Sequence, residues 1–75
     1  MSFTERLNNF IDDAEANVLG YATNKEVYNQ ISNLAKKHDI DIVTCKTFNS
    51  DGCRFTRVYI EDDNGEFHDY EFCWG

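Results

Sequence analysis

Residues 40–74 read IDIVTCKTFNSDGCRFTRVYIEDDNGEFHDYEFCW. Two glycine turns, Asn49-Ser50-Asp51-Gly52 and Asp62-Asp63-Asn64-Gly65, divide this stretch into three runs rich in apolar residues. Each turn has Asn or Asp first, Asp or Asn third and Gly fourth. That pattern suits a type I turn followed by a left-handed glycine, a three-residue hairpin loop with a G1 bulge. Asn49 is then expected to pair with Cys53, and Asp62 with Glu66. Register follows along both ladders. Ile60 faces His68, Val58 faces Tyr70 and Thr56 faces Phe72. On the other side, Ile42 faces Ile60 and Thr44 faces Val58.

This register predicts two different sheet faces. One carries Ile40, Ile42, Val58, Ile60, Tyr70, Phe72 and Trp74. The other carries Val43, Cys45, Phe55, Tyr59, Phe67 and Cys73, with Arg57 opposite Glu71 as a cross-strand ion pair. A two-residue Asn64-Gly65 loop would set Arg57 against Phe72 and mix charge into the aliphatic face, so it ranks second.

Upstream, two helices are expected. Ser2 and Glu5 form a capping box, and Phe3, Leu7, Phe10, Ile11, Ala14 and Val18 recur at helical spacing. This helix should run to about Leu19, with Gly20 as a left-handed stop. Tyr21 and Ala22 bridge to a second capping box, Thr23 with Glu26. Val27, Tyr28, Ile31, Leu34 and Ala35 then share one side of a helix, and Lys36, Lys37 and His38 suit the negative end of its dipole. The predicted fold is α+β. Two N-terminal amphipathic helices, antiparallel because their connection is short, pack on one face of a three-stranded antiparallel meander in the order ααβββ. Residues 1–75 are read as one small domain.

Composition narrows the function. The net charge is −7. It is uneven: residues 1–38 hold five acids against four bases, and residues 39–75 hold nine acids against three bases. Solubility alone accounts for an acidic surface, but such a surface also repels nucleic acid and favours basic partners. The polar start does not resemble a signal peptide, and no apolar run approaches a membrane span. Three cysteines are an odd number, and in this register all three share one face with none directly opposite another, which argues against a disulfide framework and for a reducing cytoplasm.

Motif readings are weak. Asp62, Asp63, Asn64 and Glu66 lack the spacing of a calcium loop, and turn chemistry explains them. Cys45, Cys53 and Cys73 lack the close pairs of a zinc site, and half-buried thiols are the simpler reading. No metal and no cofactor is therefore expected. A thiol nucleophile would need His38 or His68 within hydrogen-bond reach, and no phosphate loop or nucleophile elbow is present. No enzyme is expected. Ala16, Leu19 and Gly20 partly match a helix-turn-helix, with Asn29, Gln30, Asn33 and Lys37 as base readers. The acidic balance opposes that use, because phosphate contacts supply most of the affinity. Phe55, Arg57 and Tyr59 could stack single-stranded bases, but Asp69 and Glu71 share their face.

The expectation is a small acidic protein-binding module. Its partner is a basic, nucleic-acid-binding protein, with no direct nucleic acid and no membrane. The acids Asp12, Asp13, Glu15, Glu61, Asp62, Asp63, Glu66 and Asp69 form the candidate contact, one that could imitate the charge of DNA. Size and charge, rather than a motif, suggest a phage or mobile-element accessory protein that inhibits a host factor in the host cytoplasm. The alternative is a homodimer packed through the second sheet face, Val43, Phe55, Arg57, Tyr59, Phe67 and Glu71. That face carries more apolar surface than a solvated face needs. Its bland explanation is that scattered surface apolar groups are ordinary, or that loops fold over them.

Overall fold

A computed structural model describes residues 1–18 and 23–74, with the backbone alone at Val18. Its elements are α1 (Phe3–Val18), α2 (Asn24–Lys37), β1 (Asp41–Ser50), β2 (Cys53–Glu61) and β3 (Phe67–Cys73). The strands form one antiparallel sheet in the order β1-β2-β3. The expected ααβββ arrangement is therefore present. The expected stop at Gly20 and the Tyr21-Ala22 bridge lie outside the described residues.

Local chemistry explains the helix ends. Ser2 Oγ accepts the Glu5 N–H at 3.2 Å and donates to the Glu5 carboxylate at 3.2 Å. Thr23 Oγ1 accepts the Glu26 N–H at 3.2 Å. The far end of α2 closes as a Schellman motif. Ile40 N–H reaches Ala35 O at 2.8 Å, and Asp39 N–H reaches Lys36 O at 3.4 Å. Asp39 takes the left-handed position, with φ 56°, where glycine is usual. Arg6, near the start of α1, donates to the Asp39 carbonyl at 3.3 Å, which is the neighbourhood an antiparallel helix pair requires.

Both helices cover the same sheet face. Phe10 and Ala14 of α1 and Val27, Ile31, Leu34 and Ala35 of α2 are buried with Ile40, Val58, Ile60, Phe72 and Trp74. Phe3, Leu7, Ile11, Ile42, Cys45 and Tyr70 pack against that core. Tyr28 departs from the expected stripe. It is exposed at the edge of β1, where its hydroxyl accepts the Thr47 N–H at 2.9 Å.

The second hairpin has the expected register. Ile60 faces His68, Val58 faces Tyr70, Thr56 faces Phe72 and Arg57 faces Glu71. Asp62 N–H donates to Glu66 O at 2.8 Å, and Gly65 is left-handed at φ 81°.

The first hairpin corrects the expectation. Ser50, not Asn49, pairs with Cys53, and Cys45, not Thr44, faces Val58. The loop has two residues, Asp51 and Gly52, both at positive φ (51° and 80°), as a type I′ turn requires. A bulge between Ile42 and Thr44 absorbs the slip, so Ile42 still faces Ile60. The reason lies in Lys46. A three-residue loop would set Lys46 opposite Thr56, on the face the helices cover, and bury an unpaired charge. The observed slip turns Lys46 outward opposite Arg57. It also brings Cys45 and Thr47 inward, so Cys45 leaves the face predicted for it.

Candidate functional site

The helix-free sheet face is built in four rows by the observed register. Phe48, Phe55 and Cys73 form one row, and Lys46, Arg57 and Glu71 the next. Thr44, Tyr59 and Asp69 follow, and Asp41, Glu61 and Phe67 close the face. Phe48, absent from the predicted set, belongs here because of the one-residue slip. Its ring stacks on Phe55 with centroids 5.6 Å apart, and the Arg57 guanidinium lies 5.7 Å over it. Arg57 Nε donates to Glu71 Oε1 at 2.7 Å, and Arg57 also reaches the Tyr59 hydroxyl at 3.5 Å. These bonds, to Tyr59 first and then to Glu71, raise the already high pKa of the guanidinium.

The face remains partly apolar and open. Phe67 is 64 % exposed, Val43 51 % and Phe48 37 %. Val43 sits in the bulge, between the paired residues Ile42 and Thr44. Phe55 and Tyr59 are half-buried by their neighbours.

The candidate acids fall into two groups. In the first, the carboxylates already have internal partners. Asp13 meets Lys37 Nζ at 3.1 Å and His38 Nε2 at 2.5 Å, contacts that lower its pKa, with His38 the larger cause. Asp62 meets His68 Nε2 at 2.8 Å and accepts the N–H groups of Asn64 (2.8 Å) and Glu66 (2.9 Å). The bond from His68 leads in holding its carboxyl below the usual range. Asp63 is paired with Arg6 at 2.7 Å. Glu15 accepts the Tyr70 hydroxyl, which raises the phenol pKa together with burial and the nearby charge of Asp12.

In the second group, Asp12, Glu61, Glu66 and Asp69 are exposed, and their carboxylates have no hydrogen-bond or ion-pair partner among the described residues. Glu61 and Asp69 lie on the open face beside Phe67. Asp12 lies on the helix side of β3, close enough to Tyr70 to act on its hydroxyl. The eight acids therefore do not form one surface.

The thiols and imidazoles stay apart. Cys45 lines a shallow groove between α2 and β1 with Ile31, Ala35 and Ile42. Burial pushes its thiol up to about 11, so it is protonated at neutral pH. His38 lines a separate groove with Arg6 and Asn9, and His68 another with Phe3 and Leu7. Among the described residues, no three His, Cys, Asp or Glu side chains are grouped to hold a metal ion, and no helix is long and apolar enough to cross a membrane.

Comparison with protein-family models, curated proteins and solved structures returns no match.

Proposed function

We propose that this chain is a protein-binding module whose partner is a basic protein. The observation that carries the reading is at one end of the open sheet face. There, Glu61 and Asp69, carboxylates without internal partners, border the exposed ring of Phe67. An exposed aromatic anchor ringed by one sign of charge suits a partner that brings cations around an apolar contact. Nucleic-acid-binding proteins carry such surfaces, so the module would inhibit its target by occupying the site for phosphates. Its small size and its charge fit an accessory protein of a phage or mobile element, acting in the host cytoplasm without enzymatic chemistry of its own.

Capture from a source-cell lysate followed by elution with rising salt tests the reading. A basic protein should be released at moderate salt, and the double variant Glu61→Gln, Asp69→Asn should fail to retain it. Undiminished capture by that variant sinks the proposal.

A second reading rests on the stacked pair Phe48 and Phe55 at the other end of the face. A second copy of the chain could cover it, and Tyr59→Glu would then give monomers. Sedimentation of the unmutated chain as a monomer at high concentration would remove this alternative.

A further inference from the structure

The two edges of the sheet are not alike. On β1 the outward Thr47 N–H is capped by the Tyr28 hydroxyl at 2.9 Å, and a bulge interrupts the strand at Val43. Both devices protect an edge from pairing with another chain. β3 has neither. Its register against β2 runs without a shift from Phe67 to Cys73.

The hydrogen-bond phase of β3 follows from its two ends. Asp62 N–H donates to Glu66 O, and Trp74 N–H donates to Arg54 O at 2.9 Å. Antiparallel ladders alternate between bonded and non-bonded pairs. The β3 residues bonded to β2 are therefore His68, Tyr70 and Phe72. Phe67, Asp69, Glu71 and Cys73 turn their N–H and C=O groups outward, and among the described residues no further strand lies beyond them. Their side chains all share the open face and are all exposed.

Charge selects what can add there. A second copy of β3 would pair antiparallel about a two-fold axis. Every such register engaging three or more of these four residues sets Asp69 opposite Asp69, Asp69 opposite Glu71, or Glu71 opposite Glu71. Like charges directly opposite are destabilising. A strand from a basic protein meets the reverse condition. Asp69 and Glu71 lie on one side of its path, and Asp12 and Glu15 lie near Tyr70 on the other.

We propose that β3 accepts an extended basic segment of the partner as a fourth strand, with Arg or Lys at alternate positions facing Asp69 and Glu71 and an apolar residue against Phe67. Main-chain hydrogen bonds would supply affinity, and the alternating side chains would supply selectivity. The inference rests on the basic-partner reading and specifies how that partner is held.

The test uses the full chain labelled with 15N and a capped heptapeptide with arginine at positions 3 and 5, valine at positions 1 and 7 and threonine between, so that antiparallel addition sets the arginines against Glu71 and Asp69 and a valine against Phe67. Binding should slow amide exchange at Phe67, Asp69, Glu71 and Cys73 and should weaken as salt rises. N-methylation of the peptide amides that would donate to β3 should weaken binding about tenfold or more, since a few backbone hydrogen bonds are lost. Asp69→Lys should weaken the arginine peptide and favour one with glutamate in place of the arginine at position 5. Equal binding of the methylated peptide, or protection confined to other residues, overturns strand addition while leaving salt-sensitive binding of cations in place. Capture of a basic protein by a chain that takes up neither peptide overturns strand addition alone. Failure of both overturns the basic-partner reading as well.

Discussion

Trp74 donates its indole Nε1–H to Thr56 Oγ1 at 2.8 Å, and both side chains are buried. The same hydroxyl lies 3.2 Å from Thr47 Oγ1, so one buried threonine of β2 links β1 to the residue that follows β3. The Arg54 guanidinium covers the outer side of the indole at 5.4 Å. Thr56→Val keeps the shape and removes the acceptor, which strands a buried indole N–H. The expected loss is about 1–3 kcal/mol, read from urea unfolding followed by the fluorescence of the single tryptophan. Thr56→Ser, which keeps the hydroxyl, should lose less. Equal stability of Thr56→Val and the parent would deny the bridge any role.

Gly52 tests the two-residue turn. A Cβ at this position would meet nothing within 4 Å, so Gly52→Ala adds no clash. It does force an L-residue into the left-handed region, at a cost of about 1–2 kcal/mol. Asp51→Asn should be neutral or slightly stabilising, because Asn-Gly is the preferred pair for a type I′ turn. Thermal melts of the two variants should therefore move apart. If both leave the melting temperature unchanged, the loop has a different geometry.

The two hairpins show what the sequence discloses and what it conceals. Both turns have nearly the same letters, yet only the second forms the three-residue loop. There, Asp62 fixes the geometry by accepting the Asn64 and Glu66 N–H groups, a role that its residue type announces. The first turn also contains Asp-Gly, which serves a two-residue loop equally well. What decides between them is distant in the chain: the outward need of Lys46, the hydroxyl of Tyr28 at Thr47, and a bulge at Val43 that no local pattern marks. The helices were legible from their stripes and capping boxes. The candidate acids were legible only as charge, because pairing with Arg6, Lys37 or His38 depends on tertiary placement.

Acid should destabilise the fold through Asp13 and Asp62. Both carboxyls are held below their ordinary range, chiefly by His38 and His68 respectively. A depressed folded-state value gives stability that is present above the unfolded pKa and is lost as pH falls through the folded one. The melting temperature should therefore drop below about pH 4, where free aspartate titrates. Asp13→Asn and Asp62→Asn keep an acceptor oxygen but no charge, so each should flatten that drop. An unchanged acid limb in both variants would place the acid sensitivity elsewhere.

The division of the acids into partnered and unpartnered groups predicts that binding and stability separate. Asp13, Asp62 and Asp63 hold Lys37, His38, His68, Arg6 and a turn, so their neutralisation should lower the melting temperature. Glu61 and Asp69 have no such work in the described fold. Exposed substitutions of that kind usually change stability by no more than about 0.5 kcal/mol. Glu61→Gln with Asp69→Asn should leave the melt nearly unchanged and weaken binding of an arginine-rich peptide. The triple variant Asp13→Asn, Asp62→Asn, Asp63→Asn should show the opposite order, losing stability first. Titrating both proteins with the same peptide at two salt concentrations, alongside their melts, separates the cases. A triple variant that melts normally but no longer binds would move the contact surface to the partnered carboxylates at the β2–β3 turn and beside the end of α2.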